Sequence, residues 1–207
     1  MRIQLLPLTV LALALYSQNI LVGQTKQLAD YDDETAYEVY SAVISLRDTS
    51  GTMRATNFVI RQETLRNFGG RVDDGSEPNL SVCLRPDPAF ERLIGPAISD
   101  YIRMNKTKWL LEDRFEFTVP YELVPPKRVL SLINKDGWDV FHKKYPGAGG
   151  FIDLSAVGFN ADKSIAVVSK GNWCGELCGE GSYYVLQKKD GKWVPLDWKG
   201  QRCRWMS

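Results

Sequence analysis

Residues 151–198 read FIDLSAVGFNADKSIAVVSKGNWCGELCGEGSYYVLQKKDGKWVPLDW, and this stretch decides the fold. It predicts four short strands joined by three turns. Residues 151–159 and 164–170 are rich in β-branched and aromatic side chains, which favour strands. The polar residues 160–163 between them have the composition of a turn.

The second half of this stretch predicts a β-hairpin. Residues 182–189 and 192–198 have strand-like composition and flank Asp190-Gly191. An Asp-Gly pair favours a type I′ turn, because both central positions of that turn need a positive φ. Pro195 cannot donate a backbone hydrogen bond, so we expect the last strand at an edge of the sheet or at a bulge.

Both faces of this predicted sheet are expected to be covered, at least in part. Its strands carry apolar side chains on both parities, as strands buried on both sides do. One parity holds Ile165, Val167, Tyr183, Val185 and Trp193, and the other holds Ala166, Val168, Tyr184, Leu186, Val194 and Leu196.

The preceding part of the chain predicts helices and strands in separate runs. Residues 32–46 form a helical pattern that Asp32 or Asp33 can cap, and residues 56–64 form a strand. Further on we predict a helix from Asp87-Pro88 that Gly95-Pro96 either kinks or divides into two short helices, and a strand over 115–119. A helix from Pro125-Pro126 broken at Asp136-Gly137 and a short helix over 138–145 follow. Segregated runs of this kind predict an α+β fold with helices packed on the sheet.

Length and charge limit the possible classes of protein. The 207 residues suit one domain of ordinary size, with 44% hydrophobic and 25% charged residues as in a globular protein. Arg2 is the only charge in residues 1–23, so the rest of the chain has equal numbers of acidic and basic residues. No overall field therefore favours nucleic acid or an anionic membrane as a partner.

The N-terminus has the pattern of a signal peptide. Arg2 precedes an apolar run over residues 5–16, and polar residues follow. This run is too short for a membrane span of about 20 residues. We predict a signal peptide over 1–23, a single exported domain over 24–207 that is periplasmic or secreted, and no membrane span after cleavage. A flexible loop is predicted near 67–86, where Gly, Asp, Ser and Pro are frequent.

The four cysteines are expected to form two disulfides, because an exported chain meets an oxidising compartment. Three connectivities are possible. The short glycine-bearing loop between Cys174 and Cys178 can bring these two together, and we predict this pair, which leaves Cys83 with Cys203. Zinc is disfavoured, because three residues separate Cys174 and Cys178 and His142 is the only histidine. We predict no cofactor and no metal.

Three strings of the sequence carry a resemblance. They are VGFN at 157–160, CGELCGEGSYYVL at 174–186 and KKDGKW at 188–193, and the stretch WDVFHKKYPGAGG at 138–150 fits with them. Together they resemble a family of uncharacterised exported bacterial proteins, over roughly the last third of the chain. The resemblance implies a bacterial envelope or secreted protein and assigns no activity or catalytic residue.

Few residues suggest catalysis. Any histidine-based mechanism must use His142, whose charged neighbours favour an exposed position on a helix. Asp153 with Glu176 or Glu180 could form an acid–base pair of the glycosidase type, although solvation of a turn explains the two glutamates more simply. The sequence lacks the G-x-S-x-G, H-E-x-x-H and G-x-x-x-x-G-K-[ST] motifs. We therefore assign no catalytic residue.

The loop over 172–181 is the predicted functional surface. A covalently constrained loop on a rigid scaffold loses little entropy when it binds. Trp173 would supply apolar area at the loop entrance and Leu177 a second anchor, while Glu176 and Glu180 would form the polar rim. The alternative is that the loop only staples the sheet. We predict a non-catalytic binding domain for an unknown protein or envelope polymer, and the alternative is a hydrolase of an envelope polymer that uses Asp153 or His142.

Overall fold

The computed structural model describes residues 28–46, 55–66, 80, 88–196 and 204–206. Several predictions concern other residues and lie outside this part of the chain. They are the signal peptide over 1–23, the cap at Asp87, the pair Cys83–Cys203 and the loop near 67–86 except for Leu80. Leu80 itself is buried, with 2% of its surface exposed.

The described residues form three helices, a mixed sheet and a separate two-stranded sheet made of the first and third strands. The helices are α1 (Glu34–Ser45), α2 (Pro88–Met104) and α3 (Pro126–Lys144). The strands are β1 (Ala29–Asp30), β2 (Asn57–Arg61), β3 (Trp109–Leu110), β4 (Tyr121–Val124), β5 (Ala148–Leu154), β6 (Gly158–Phe159), β7 (Ile165–Gly175), β8 (Cys178–Lys189), β9 (Lys192–Pro195) and β10 (Arg204–Met206). The α+β class predicted from the sequence is confirmed.

The C-terminal strands form the predicted antiparallel meander. Strand β7 pairs with β5 on one side and with β8 on the other, and β9 pairs with β8. The strands β7 and β8 contain 11 and 12 residues, so they are long and not short as predicted. Beyond β5 the sheet continues through β2 and β4 in parallel pairing. The order across the sheet is β10-β8-β7-β5-β2-β4.

The closing hairpin has the predicted turn. Asp190 has a φ of 49° and Gly191 a φ of 75°, both in the left-handed region that a type I′ turn requires. Among the described strands, β9 pairs with β8 alone, which agrees with the edge position expected from Pro195.

Helices cover both faces of the sheet, as predicted from the apolar side chains that both alternating sets of strand residues carry. On one face α1 packs through residues such as Tyr40 and Val43 against β5, β7 and β8. On the opposite face α2 packs against the part of β7 and β8 around Val167 and Val185. On that same face α3 packs against β2 and β5, where Phe151 is buried. The two helices α2 and α3 therefore lie over different parts of one face.

Local signals set the helix ends and breaks. The Asp33 side chain caps α1 by accepting a hydrogen bond of 3.0 Å from the backbone N–H of Thr35. The break predicted in α3 occurs at Gly137, where φ is 79° and ψ is 174°. Of the two forms predicted for α2, the division into two short helices does not occur, because α2 continues through Pro96 as one helix. No described helix has both the length and the apolar character that a membrane crossing needs.

One strand prediction is wrong. The described structure has no strand over 115–119, and the strand of this region, β4, begins at Tyr121. The alternating Phe115 and Phe117 pack instead into an aromatic cluster, with ring centroids 5.6 Å apart. Phe115 also contacts Tyr37 of α1 at 5.2 Å. Side-chain packing on α1 therefore explains the alternation that suggested a strand.

Candidate functional site

The candidate site is the hairpin formed by β7 and β8. Its strands pair from Ile165↔Gln187 to Gly175↔Cys178, which leaves Glu176 and Leu177 as a two-residue turn. The predicted loop over 172–181 is therefore mostly strand, because pairing extends to the last residue before the turn. Trp173 lies within β7 and not at a loop entrance. We call residues 174–178 the hairpin tip.

A disulfide joins the two ends of the hairpin tip. Cys174 and Cys178 are bonded, with their Cα atoms 5.0 Å apart. This distance lies within the range of about 4.4–6.8 Å found for disulfides, so this predicted pair is confirmed. Strand pairing explains why it forms, because Gly175↔Cys178 register places the two cysteines near each other across the hairpin.

The residues predicted to bind a partner differ in exposure. Leu177 is 85% exposed, the largest exposure among the large apolar side chains of the described residues. Glu176 beside it is also exposed, whereas Glu180 and Trp173 are half-buried. The hairpin tip therefore presents a leucine and a carboxylate, while the other two predicted residues belong to the stem of the hairpin.

Trp173 is held on both its polar and its aromatic side. Its indole Nε1–H donates a hydrogen bond of 2.8 Å to Asp153 Oδ2. Its ring stacks on Phe151 at 6.4 Å, and Phe151 stacks in turn on Trp138 of α3 at 6.0 Å. The interpretation of Trp173 as an exposed anchor is therefore wrong. The residue fixes the stem of the hairpin to β5 and, through Phe151, to α3.

Asp153 is a buried carboxylate with an ionic partner. Only 1% of its surface is exposed, and its Oδ1 lies 2.7 Å from Nε of Arg61 on β2. The contact is an ion pair, and Oδ1 accepts no hydrogen bond of good geometry. Burial raises the pKa of Asp153 to about 6, and the charge of Arg61 and the indole of Trp173 oppose that rise only in part.

The predicted acid–base pair does not assemble. Asp153 lies opposite Gly171 on β7, five residues before Glu176. At about 3.3 Å per residue this separates the two carboxylates by roughly 16 Å along the strand. Carboxylates that hydrolyse glycosides lie about 5–9.5 Å apart. Glu180 lies opposite Asn172, on the other parity, so it projects from the opposite face of the sheet.

His142 lies beside the hairpin. It is exposed on α3, as predicted, and its Nε2 lies 3.2 Å from the carbonyl oxygen of Cys174, to which it donates a hydrogen bond as the Nε2–H form. Sequence reasoning missed this contact, because the two residues are 32 positions apart and no motif links them. Two consecutive residues of β7 are therefore held by neighbouring elements. Trp173 is bound by Asp153 of β5, and Cys174 is bound by His142 of α3.

One cleft among the described residues lies away from the hairpin tip, beside the first residues of β7. It has a volume of about 300 Å³, and its lining includes Asp33, Asp100, Arg103 and Lys163. These charges pair with one another, since Lys163 lies 2.9 Å from Asp33 and Arg103 lies 2.6 Å from Asp100. Nowhere in the described part of the chain do three His, Cys, Asp or Glu side chains form a group that could hold a metal ion.

Comparison with known proteins adds no further constraint. No family model, no curated protein and no solved structure matches this chain.

Proposed function

We propose that this protein is an exported, non-catalytic binding domain of the bacterial cell envelope or the secreted fraction, and that the hairpin tip contacts its partner, a protein or an envelope polymer. The observation that carries this proposal is the 85% exposure of Leu177 at the turn of a disulfide-closed hairpin. Burying a leucine that is fully hydrated in the free protein contributes about 1.5–3 kcal/mol to binding.

The rigidity of the hairpin supports the same proposal. The disulfide fixes the two ends of the turn, Asp153 holds Trp173, and His142 holds the carbonyl of Cys174. A surface that is ordered before association loses little conformational entropy when it binds. Leu177 is then the apolar anchor and Glu176 the polar rim, while Trp173 and Glu180 act in the stem.

The hydrolase alternative gains no observation from the described residues. Asp153 is engaged by Arg61 and Trp173. Glu176 lies five residues farther along β7 than the position opposite Asp153, and Glu180 projects from the opposite face of the sheet. His142 contacts a backbone carbonyl, not a Ser or Cys nucleophile. The contacts of the described residues therefore support binding by the hairpin tip better than hydrolysis.

The binding proposal is tested by capture from a bacterial envelope extract on immobilised mature protein. Leu177→Ser should abolish enrichment of the captured component and change the free energy of unfolding by no more than about 0.5 kcal/mol. Leu130→Ser is the matched control, because Leu130 is also an exposed leucine, at 44%, but lies on α3. Equal capture by the wild type and Leu177→Ser would refute the role of the hairpin tip.

The export proposal is tested separately. The apolar run over 5–16 after Arg2 supports cleavage of the N-terminal segment. Intact-mass analysis of protein from a bacterial host, divided into cytoplasmic, periplasmic and secreted fractions, should find a shortened chain outside the cytoplasm. A mass that still includes residues 1–15 would contradict cleavage.

A further inference from the structure

The disulfide of the hairpin tip lies at the surface of the protein. Cys178 is exposed and Cys174 is half-buried. The neighbours of Cys178 at the turn, Glu176 and Leu177, are exposed as well. A thiolate must reach one of the two sulfur atoms to open a disulfide, so access decides whether exchange occurs. In this hairpin the more exposed of the two cysteines is Cys178.

The sheet does not depend on this bond for its pairing. The backbone register between β7 and β8 is continuous from Ile165 to Trp173, the residue before the disulfide-bonded Cys174. The stem is held independently of the disulfide, since the indole Nε1–H of Trp173 donates a hydrogen bond to Asp153. Cys174 and Cys178 are four positions apart. Cross-linking stabilises a fold less when the closed loop is shorter, so this bond contributes less than a long-range disulfide would.

We propose that Cys174–Cys178 is a reversible thiol–disulfide exchange site that a dithiol opens without unfolding the sheet. A thiolate of the dithiol attacks Sγ of Cys178, the Sγ–Sγ bond breaks, and Cys174 leaves as a thiolate that takes up a proton. The second thiol of the reductant then attacks the mixed disulfide and releases Cys178. In the net reaction the protein disulfide gains two electrons and two protons, and the dithiol becomes a disulfide.

Opening this bond changes the hairpin tip and leaves the stem in place. Residues 175–177 lose the covalent closure that fixes them, whereas the contacts of Trp173 and the pairing up to that residue stay formed. Leu177 is then carried by a turn with greater conformational freedom. If the tip binds a partner, as proposed above, reduction weakens that binding, but the exchange reaction itself does not require a partner.

The experiment uses the folded, mature wild-type protein with dithiothreitol as the dithiol probe. After brief reduction without denaturant, free thiols are alkylated and located by peptide mapping, which distinguishes Cys174 and Cys178 from Cys83 and Cys203. We expect alkylation of Cys174 and Cys178 with an unchanged far-UV circular dichroism spectrum. Amide hydrogen exchange should become roughly tenfold faster at residues 175–178 and change less than about twofold within 165–173.

A second variant fixes the open state. Cys174→Ser with Cys178→Ser should fold, and its hydrogen-exchange pattern should match that of the reduced wild type. The proposal is overturned if the disulfide resists dithiothreitol until denaturant is added. It is also overturned if reduction of the folded wild type removes hydrogen-exchange protection from 165–173. Neither result concerns partner binding, so failure of this proposal is distinguishable from failure of the binding function.

Discussion

Trp173 and Asp153 are joined across the central strands β7 and β5 by a hydrogen bond of 2.8 Å from the indole Nε1–H to Oδ2. Arg61 lies on the other side of the same carboxylate at 2.7 Å. The hairpin that carries the exposed Leu177 is therefore attached, one residue before its disulfide, to a charged group inside the sheet. This attachment makes the stem of the hairpin part of the folded core.

Removal of the Trp173 side chain should destabilise the protein. We expect Trp173→Ala to lower the free energy of unfolding by about 3 kcal/mol, because stacking on Phe151 and the hydrogen bond to Asp153 are both lost. Trp173→Phe is the matched control. It keeps an aromatic ring and should cost about 1–2 kcal/mol. Urea unfolding measures both values, and a loss below about 1 kcal/mol for Trp173→Ala would contradict the assignment of Trp173 to the stem.

Stability should depend on pH through Asp153. The pKa of Asp153 is raised to about 6 in the folded protein, from 3.8, so the folded state binds a proton more tightly than the unfolded chain. Protonation of Asp153 therefore raises the free energy of unfolding as the pH falls through about 6. The rise is about 1 kcal/mol between about pH 7 and about pH 5. Urea unfolding of the wild type, compared with Asp153→Asn at both pH values, isolates this group. A difference between the two proteins that does not change with pH would refute the prediction.

Arg61 and Asp153 should be energetically coupled. Arg61→Met leaves the buried carboxylate without its cation, and we expect a loss of about 2–3 kcal/mol at neutral pH. When Asp153 is already replaced by asparagine, Arg61→Met should cost at least about 1 kcal/mol less, because no buried carboxylate is then left without its cation. The amide oxygen of the asparagine still accepts the Trp173 hydrogen bond. A double-mutant cycle by urea unfolding measures the coupling, and additive effects would contradict it.

Gly150 should not tolerate a side chain. Its φ is 131°, and a Cβ at this position would overlap the carbonyl oxygen of Trp173. We expect Gly150→Ala to cost more than about 3 kcal/mol, since both backbone strain and a clash with β7 oppose it. The preceding Gly149 is the matched control, because a Cβ there meets nothing within 4 Å. Thermal unfolding of both variants tests this, and similar melting temperatures would show that β5 can move away from β7.

The sequence alone determined the local elements that depend on local chemistry. Asp190-Gly191 predicted the hairpin turn because few residues accept a positive φ, and Gly137 predicted the break in α3 for the same reason. The start of α1 was predicted at Asp32 or Asp33, because either side chain can satisfy a free backbone N–H, and Asp33 is the residue that does so. The Cys174–Cys178 pair was also predictable, since four positions of separation limit the distance between the two residues.

Tertiary structure alone decided the surroundings of the candidate site. The three glycines and the polar residues of 172–181 predicted a loop, but pairing between β7 and β8 makes most of this segment strand. Asp153, Arg61, Trp173 and His142 come from different elements separated by long stretches of chain, so no spacing in the sequence connects them. Their contacts arise because the sheet places β2, β5 and β7 side by side and α3 packs on that face. The sequence shows which residues are apolar and which turns are possible, whereas only the packed fold places the buried carboxylate of Asp153 beside Trp173.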